Sequence, residues 1–191
     1  MENIKHFSFD LWFTLIKSNP IFKKERALFF FNHFNSFKKP LEEVELIFRT
    51  VDLMCNAINE KTGKNIDAEE MYLMVIYQLN NSLSTFENID TQWLYKEMET
   101  LILKYTPTVF NAQTHICLDK IKQQSGSSLN ILSNTAFIKG STLRTIIEQL
   151  ELSSYFNFQI YSDEVGVSKP NPKMYSILLD AIYATRKNEP I

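Results

Sequence analysis

The stretch Phe7-Ser8-Phe9-Asp10-Leu11-Trp12-Phe13-Thr14-Leu15 decides how the whole chain is read. Ile4 to Phe9 is a short β-prone run that stops at an aspartate, and Leu11 to Ile16 continues apolar until Lys17-Ser18-Asn19-Pro20 breaks the pattern. A strand, a special turn and a loop are expected. An aspartate ending a strand is most often a turn former or a helix cap, so the meaning of Asp10 depends on what the remaining sequence brings to it.

Outward from that stretch the character changes twice. From Pro20 to Tyr105 four segments carry helical spacing of apolar residues, over about 20–37, 40–60, 67–82 and 90–105. Two of them open on acidic first turns, Pro40-Leu41-Glu42-Glu43 and Asp67-Ala68-Glu69-Glu70, and the second has the form of a capping box. After Thr106-Pro107, helix and strand alternate: helix 111–124, strand 129–132, helix 138–150, strand 158–161, helix 172–185. Such alternation predicts right-handed crossovers and a parallel sheet.

Composition narrows the classes. A chain of 191 residues, 45% hydrophobic, buries one sizeable core and a smaller second one. Lys+Arg 20 against Asp+Glu 22 gives a net charge of -2, so no overall field favours nucleic acid or an anionic membrane. The expected partner is a small molecule. Cys55 and Cys117 lie far apart and read as reduced core residues, which fits the cytoplasm. The N-terminus has no secretory pattern and no window approaches the ~20 apolar residues of a membrane span, so the chain reads as soluble and unprocessed. His6, His33 and His115 have no ligand spacing to one another, which argues against zinc. No glycine-rich phosphate loop is present.

In an open parallel sheet, ligands gather outside the carboxyl ends of the strands. Three polar positions qualify: Asp10 after the first strand, Ser133-Asn134-Thr135 after the second, and Lys169 in Gly166-Val167-Ser168-Lys169-Pro170 after the third. A carboxylate, a hydroxyl and an ammonium would then converge on one crevice. Asp10 could attack an electrophilic centre while Ser133 and Lys169 hold negative charge.

On these residues the sequence resembles the haloacid dehalogenase superfamily of aspartate-nucleophile hydrolases. Three of the family's four motifs occur in order: Asp10 with Thr14, Ser133 with Asn134, and Lys169 with Pro170. The resemblance implies an α/β fold, with a Rossmann-like parallel-sheet core over 1–16 and 107–191 and an inserted α-helical cap over 17–106. It also implies that Asp10 forms a covalent intermediate, that Thr14 and Ser133 hydrogen-bond the transferring group or the nucleophile, and that Lys169 balances charge. The substrate would be a small anion, a phosphate ester or a 2-haloacid.

Two departures from the family pattern matter. Its phosphatases carry a second aspartate two residues after the nucleophile, which protonates the leaving alcohol; here that position is Trp12, and indole does no acid–base work. Halide leaves without a proton, and the family's 2-haloacid dehalogenases place an aromatic there too, usually Tyr followed by Gly. Phe13 replaces that small residue. Trp12 favours dehalogenation, whereas phosphatases are commoner in the family, and both chemistries stay open. The second departure is the fourth motif, an acidic group after another core strand; the sequence reaches Asn188-Glu189-Pro190-Ile191 about where that strand would begin. Without it Asp10 is the only metal ligand left, and weak Mg²⁺ binding or none is expected.

The rival reading is a degenerate or truncated relative that serves as a binding module. A missing strand would leave an exposed sheet edge, hence self-association as a homodimer or marginal stability. The run Leu28-Phe29-Phe30-Phe31, with Phe34 and Phe37, reads as cap core or as a dimer surface, and Asp163-Glu164 as a solvated loop. Arg26 and Arg49 lie in the cap; either could hold a substrate carboxylate, though each reads first as a surface residue.

Overall fold

The computed structural model describes residues 5–83, 86–124 and 126–187. The chain runs β1 (His6–Phe9), a tight turn, then β2 (Ile16–Lys17). Four helices follow: α1 (Pro20–Phe34), α2 (Leu41–Thr62), α3 (Ala68–Leu79) and α4 (Thr91–Lys104). β3 (Thr108–Val109) returns the chain to the core, which continues through α5 (Thr114–Lys122), β4 (Ser128–Ser133), α6 (Gly140–Gln149), β5 (Phe158–Tyr161), α7 (Ser162–Val165) and α8 (Pro172–Lys187).

β1, β4 and β5 form a parallel sheet in the order β1-β4-β5. Every residue of the central strand β4 is buried, including three polar ones. Burying hydroxyl and amide groups requires partners, and His6 on β1 supplies two of them, through Ser128 Oγ at 2.7 Å and Asn130 Oδ1 at 2.9 Å. Among the described residues the strand that leads into Asp10 has β4 as its one neighbour. Residues 188–191, where the strand before the fourth motif is expected to begin, lie outside the described residues.

The helical block forms as its apolar spacing predicts, because each helix carries one buried stripe and a start signal. Asp67 and Glu70 complete the capping box of α3, Asp90 caps α4 through the amides of Gln92 and Trp93, and Gly63 ends α2 in the left-handed conformation at φ 69°. The stripes meet in a cap core built on Phe30, Phe48, Tyr72, Leu79 and Met98. A second core under the sheet gathers Leu11, Leu15, Ile131, Leu143, Ile147 and Tyr161. A third, smaller cluster of Leu132, Ile160, Val167 and Met174 goes beyond the two cores expected from composition.

The cap leaves and rejoins the core through β2 and β3, which pair antiparallel with Ile16 opposite Val109. Three further contacts fix it. Phe137, in the loop after β4, inserts into the cap core, where Tyr72 Oη donates to its carbonyl at 2.9 Å. At the other end, Gly63 O accepts from Ser168 N at 3.1 Å and from Asn171 Nδ2 at 2.9 Å. Asn65 Oδ1 accepts from Ser162 Oγ at 2.7 Å.

Several expectations need correction. Asp163 and Glu164 are not in a solvated loop: they form the one-turn α7, where Asp163 accepts from the Gly140 amide and Glu164 pairs with Arg144 at 2.6 Å. A four-residue helix is too short for its periodicity to register in sequence. Cys55 is buried, its thiol pushed up to about 11 by desolvation, but Cys117 is exposed rather than part of a core. Of the aromatic run only Phe30 is fully buried, while Leu28, Phe31 and Phe37 are exposed. Among the described residues no helix is long and apolar enough to cross a membrane.

Candidate active site

Asp10 follows β1 directly, and the backbone there turns at once. Leu11 O accepts from Leu15 N at 2.9 Å and from Ile16 N at 3.1 Å, which buries Leu11, Leu15 and Ile16 and leaves Asp10 at the surface of a crevice. Phe13 sits in this turn at φ 58°, a left-handed conformation that costs a side-chain-bearing residue ~1–2 kcal/mol. That is why a small residue suits the position. Phe13 stays 68% exposed, meets Phe110 edge-on at 6.5 Å and lines the crevice beside Trp12.

Lys169 reaches the same crevice from the loop after α7. Its Nζ donates to Asp10 Oδ1 at 2.8 Å and to Leu132 O at 2.8 Å. The lysine backbone is clamped by one side chain: Asn134 Oδ1 accepts from Lys169 N at 2.7 Å while Asn134 Nδ2 donates to Lys169 O at 3.1 Å. Asn134 therefore lines the crevice and sets where Lys169 stands.

Asp10, Trp12, Asn134 and Lys169 line one cavity of about 470 Å³ between core and cap. Ser133 and Thr14 are not brought there. Ser133 is fully buried and donates to Asn134 O at 2.9 Å, and Thr14 lies exposed on the outside of the turn. Thr135 lines the cavity instead, two residues further along, with its hydroxyl 3.0 Å from Ser162 Oγ.

The cap supplies the opposite wall from α1 and α2, with Lys23, Arg26, Asp52, Asn56 and Glu60. Arg26 is nine-tenths buried rather than a surface residue, its guanidinium carbon 4.1 Å from the Phe48 ring centre and 4.6 Å from that of Phe137. Its Nε has no hydrogen-bond partner. Burial lowers its pKa and raises that of Asp52. Arg49 is exposed on α2 and does not line the cavity. The α2 residues at positions 52, 56 and 60 share one helix stripe, a spacing that could have marked them as a polar face turned inward.

The chain's backbone matches solved structures over nearly its full length. The L-2-haloacid dehalogenase of Xanthobacter autotrophicus, solved with chloropropionic acid covalently bound, aligns over 93% of this chain and 64% of its own, at a TM-score of 0.57 and 17% identity. The Bacillus subtilis protein YfnB, assigned to the HAD hydrolases and solved with magnesium, aligns over 94% and 74% at a TM-score of 0.67 and 12% identity. A predicted phosphoglycolate phosphatase of Haemophilus somnus aligns over 95% and 73% at 0.63 and 15%. The fold is that of the haloacid dehalogenase superfamily. Its α/β class, with a parallel-sheet core and an inserted helical cap, is thereby established.

No family model matches the chain. Over 111 residues it is 32% identical to the ribosome maturation factor RimM of Campylobacter jejuni, covering 58% of this chain and 59% of that protein. The chain thus spans somewhat over half the length of the curated relatives it matches, and about two thirds of the dehalogenase.

Among the described residues the donors at the crevice do not by themselves fit a Mg²⁺ site. Mg²⁺ asks for near-octahedral oxygen ligation, whereas among the described core residues lining the cavity Asp10 is the one carboxylate, and it faces an ammonium at 2.8 Å that repels a dication. Among the described residues no three His, Cys, Asp or Glu side chains are grouped to hold a metal.

Proposed function

We propose that this protein is a haloacid dehalogenase-fold hydrolase in which Asp10 is the nucleophile. The observation that carries the reading is the Asp10 carboxylate at the end of β1, held at 2.8 Å by Lys169 and open to a cavity of about 470 Å³ under a helical cap. Its core is the sheet with its flanking helices, about 1–16 and 107–191, and its cap is 17–106.

Lys169 engages Oδ1, which leaves Asp10 Oδ2 free to attack. Attack forms a bond from Oδ2 to the electrophilic carbon or phosphorus, and the bond to the leaving group breaks with its electron pair. Water then cleaves the resulting ester or acyl phosphate and restores the carboxylate. The lysine ammonium offsets repulsion between the carboxylate and an anionic substrate, and it stays in place throughout because Leu132 O and the Asn134 clamp hold it independently of Asp10. Asn134 acts as a positioning residue and Trp12 as a wall of the substrate site. Arg26, buried with an unpartnered Nε, binds the substrate anion.

Trp12 in place of an acid favours a leaving group that needs no proton, as halide does, over an alkoxide. A panel of 2-chloropropionate and p-nitrophenyl phosphate, assayed with Mg²⁺ and with chelator, tests this. Turnover abolished by Asp10→Asn is expected, with chelator having little effect.

A second reading is a non-catalytic binding module. It is favoured by Trp12, which stands where a general acid would be needed for ester hydrolysis. No turnover of either probe, with Asp10→Asn indistinguishable from the parent in every assay, would support that reading.

A further inference from the structure

The cap wall facing Asp10 is electrically divided. On α1, Lys23 and Arg26 stand one turn apart, and on α2, Asp52, Asn56 and Glu60 follow one another at four-residue intervals. With a rise of ~1.5 Å per residue the α2 row extends for about 12 Å along the cavity. Cations line one side and carboxylates the other.

Arg26 packs on aromatic rings, Asp52 and Asn56 are half-buried, and Lys23 and Glu60 are exposed at the mouth of the cavity. Among the described residues Lys23, Asp52, Asn56 and Glu60 form no side-chain hydrogen bond within the protein, and no ion pair joins the two rows. Arg26 is nine-tenths buried, fixed between two aromatic rings, and its Nε is unsatisfied. Buried polar groups without partners are rare in native proteins; Asn130 Nδ2 and Ser168 Oγ are two others here, but of the three only Arg26 lines the cavity, where a ligand could complete its bonding.

A purely anionic substrate would satisfy α1 and be repelled by α2. The cavity, at about 470 Å³, also lies in the ~300–1,000 Å³ range of sites for larger ligands, well beyond what a three-carbon haloacid fills. We infer that the substrate is zwitterionic and amino-acid-like: its carboxylate lies on Lys23 and Arg26, its ammonium lies along Asp52, Asn56 and Glu60, and its electrophilic end points at Asp10. Asp52 and Glu60 are then specificity-determining residues. The inference rests on the cavity at Asp10 being the substrate site, as proposed above.

Because binding can be read without chemistry, the test uses a matched pair of non-hydrolysable probes on the intact protein. L-2-Amino-4-phosphonobutyrate and 4-phosphonobutyrate differ only in the ammonium, and calorimetry measures each. The aminated probe is expected to bind at least tenfold more tightly. In Asp52→Asn with Glu60→Gln that preference should fall to within twofold, and Arg26→Met should weaken both probes. Either single substitution serves if the double variant does not fold, each expected to reduce the preference at least twofold. Equal or tighter binding of the amine-free probe by the parent, binding of neither, or a preference that survives the substitutions overturns the inference. Turnover of 2-chloropropionate or p-nitrophenyl phosphate that requires Asp10 would still stand in any of those cases, so the two readings fail separately.

Discussion

Lys169 Nζ lies 2.8 Å from Asp10 Oδ1, yet the lysine is held in place by groups other than the aspartate. Leu132 O accepts from the same ammonium at 2.8 Å, and the Asn134 amide grips the lysine backbone on both sides. The Asp10 side chain is 45% exposed, and ion pairs this open to solvent contribute ~0–1 kcal/mol to stability. The expected signature of Lys169→Met is therefore a melting temperature close to the parent's with turnover reduced ~10²–10³-fold, the usual loss on removing one charge-stabilising donor. Thermal melts and steady-state kinetics on the same preparation check it.

Arg26→Met separates a binding role from a structural one. The guanidinium is stacked between Phe48 and Phe137, which favours it, but it is desolvated and its Nε is unsatisfied, which does not. Apolar replacement of buried charge is often neutral or stabilising, and Met is flexible enough to fill the slot. Denaturant unfolding should give a stability within ~1 kcal/mol of the parent. Affinity for anionic ligands should fall at least tenfold. A structural arginine would show the opposite pattern.

Asp52 predicts a pH dependence. Burial raises its pKa above the unfolded value of 3.8, with Arg26 and Lys23 opposing part of the shift. A raised carboxylate pKa means that the folded state binds the extra proton, so stability falls as pH rises through the window above 3.8 and the penalty persists at neutral pH. Asp52→Asn should accordingly melt higher than the parent at pH 7, and the difference should vanish as pH drops below about 4. Melting curves across that range decide it.

The latch between cap and core can be tested at Gly63. A Cβ there would stand 2.6 Å from Asn171 Nδ2 and 2.9 Å from Asn171 Cβ, and the backbone is left-handed at φ 69°. Gly63→Ala should cost ~1–3 kcal/mol. It should also free the α2–α3 turn, seen as faster hydrogen exchange at the amide of Ser168, which donates to Gly63 O.

The helical block, the alternating core and the strand-end positions of Asp10, Asn134 and Lys169 were legible because they rest on local periodicity and on one topological rule. The cap wall was not. Beyond their shared spacing nothing in the sequence singles out Asp52, Asn56 and Glu60, and only the packing of α2 over the crevice brings that stripe to the cavity wall. Arg26 read as surface because nothing local reveals that Phe137, more than a hundred residues away, closes over it. Ser133 is buried at the end of β4, its hydroxyl turned to Asn134 O, and Thr135, beyond the strand, lines the cavity, which the sequence alone does not reveal. The nine-residue stretch around Asp10 thus located the crevice, while the character of its far wall depended on long-range packing.

Whether Asp10 is a nucleophile is tested most directly by rapid-quench mass spectrometry of the protein mixed with 2-chloropropionate or with p-nitrophenyl phosphate. A carboxyethyl or phosphoryl adduct on the peptide carrying Asp10, formed within the first turnover and missing from Asp10→Asn, is the predicted result. Turnover that proceeds with no adduct on that peptide and survives Asp10→Asn would contradict it.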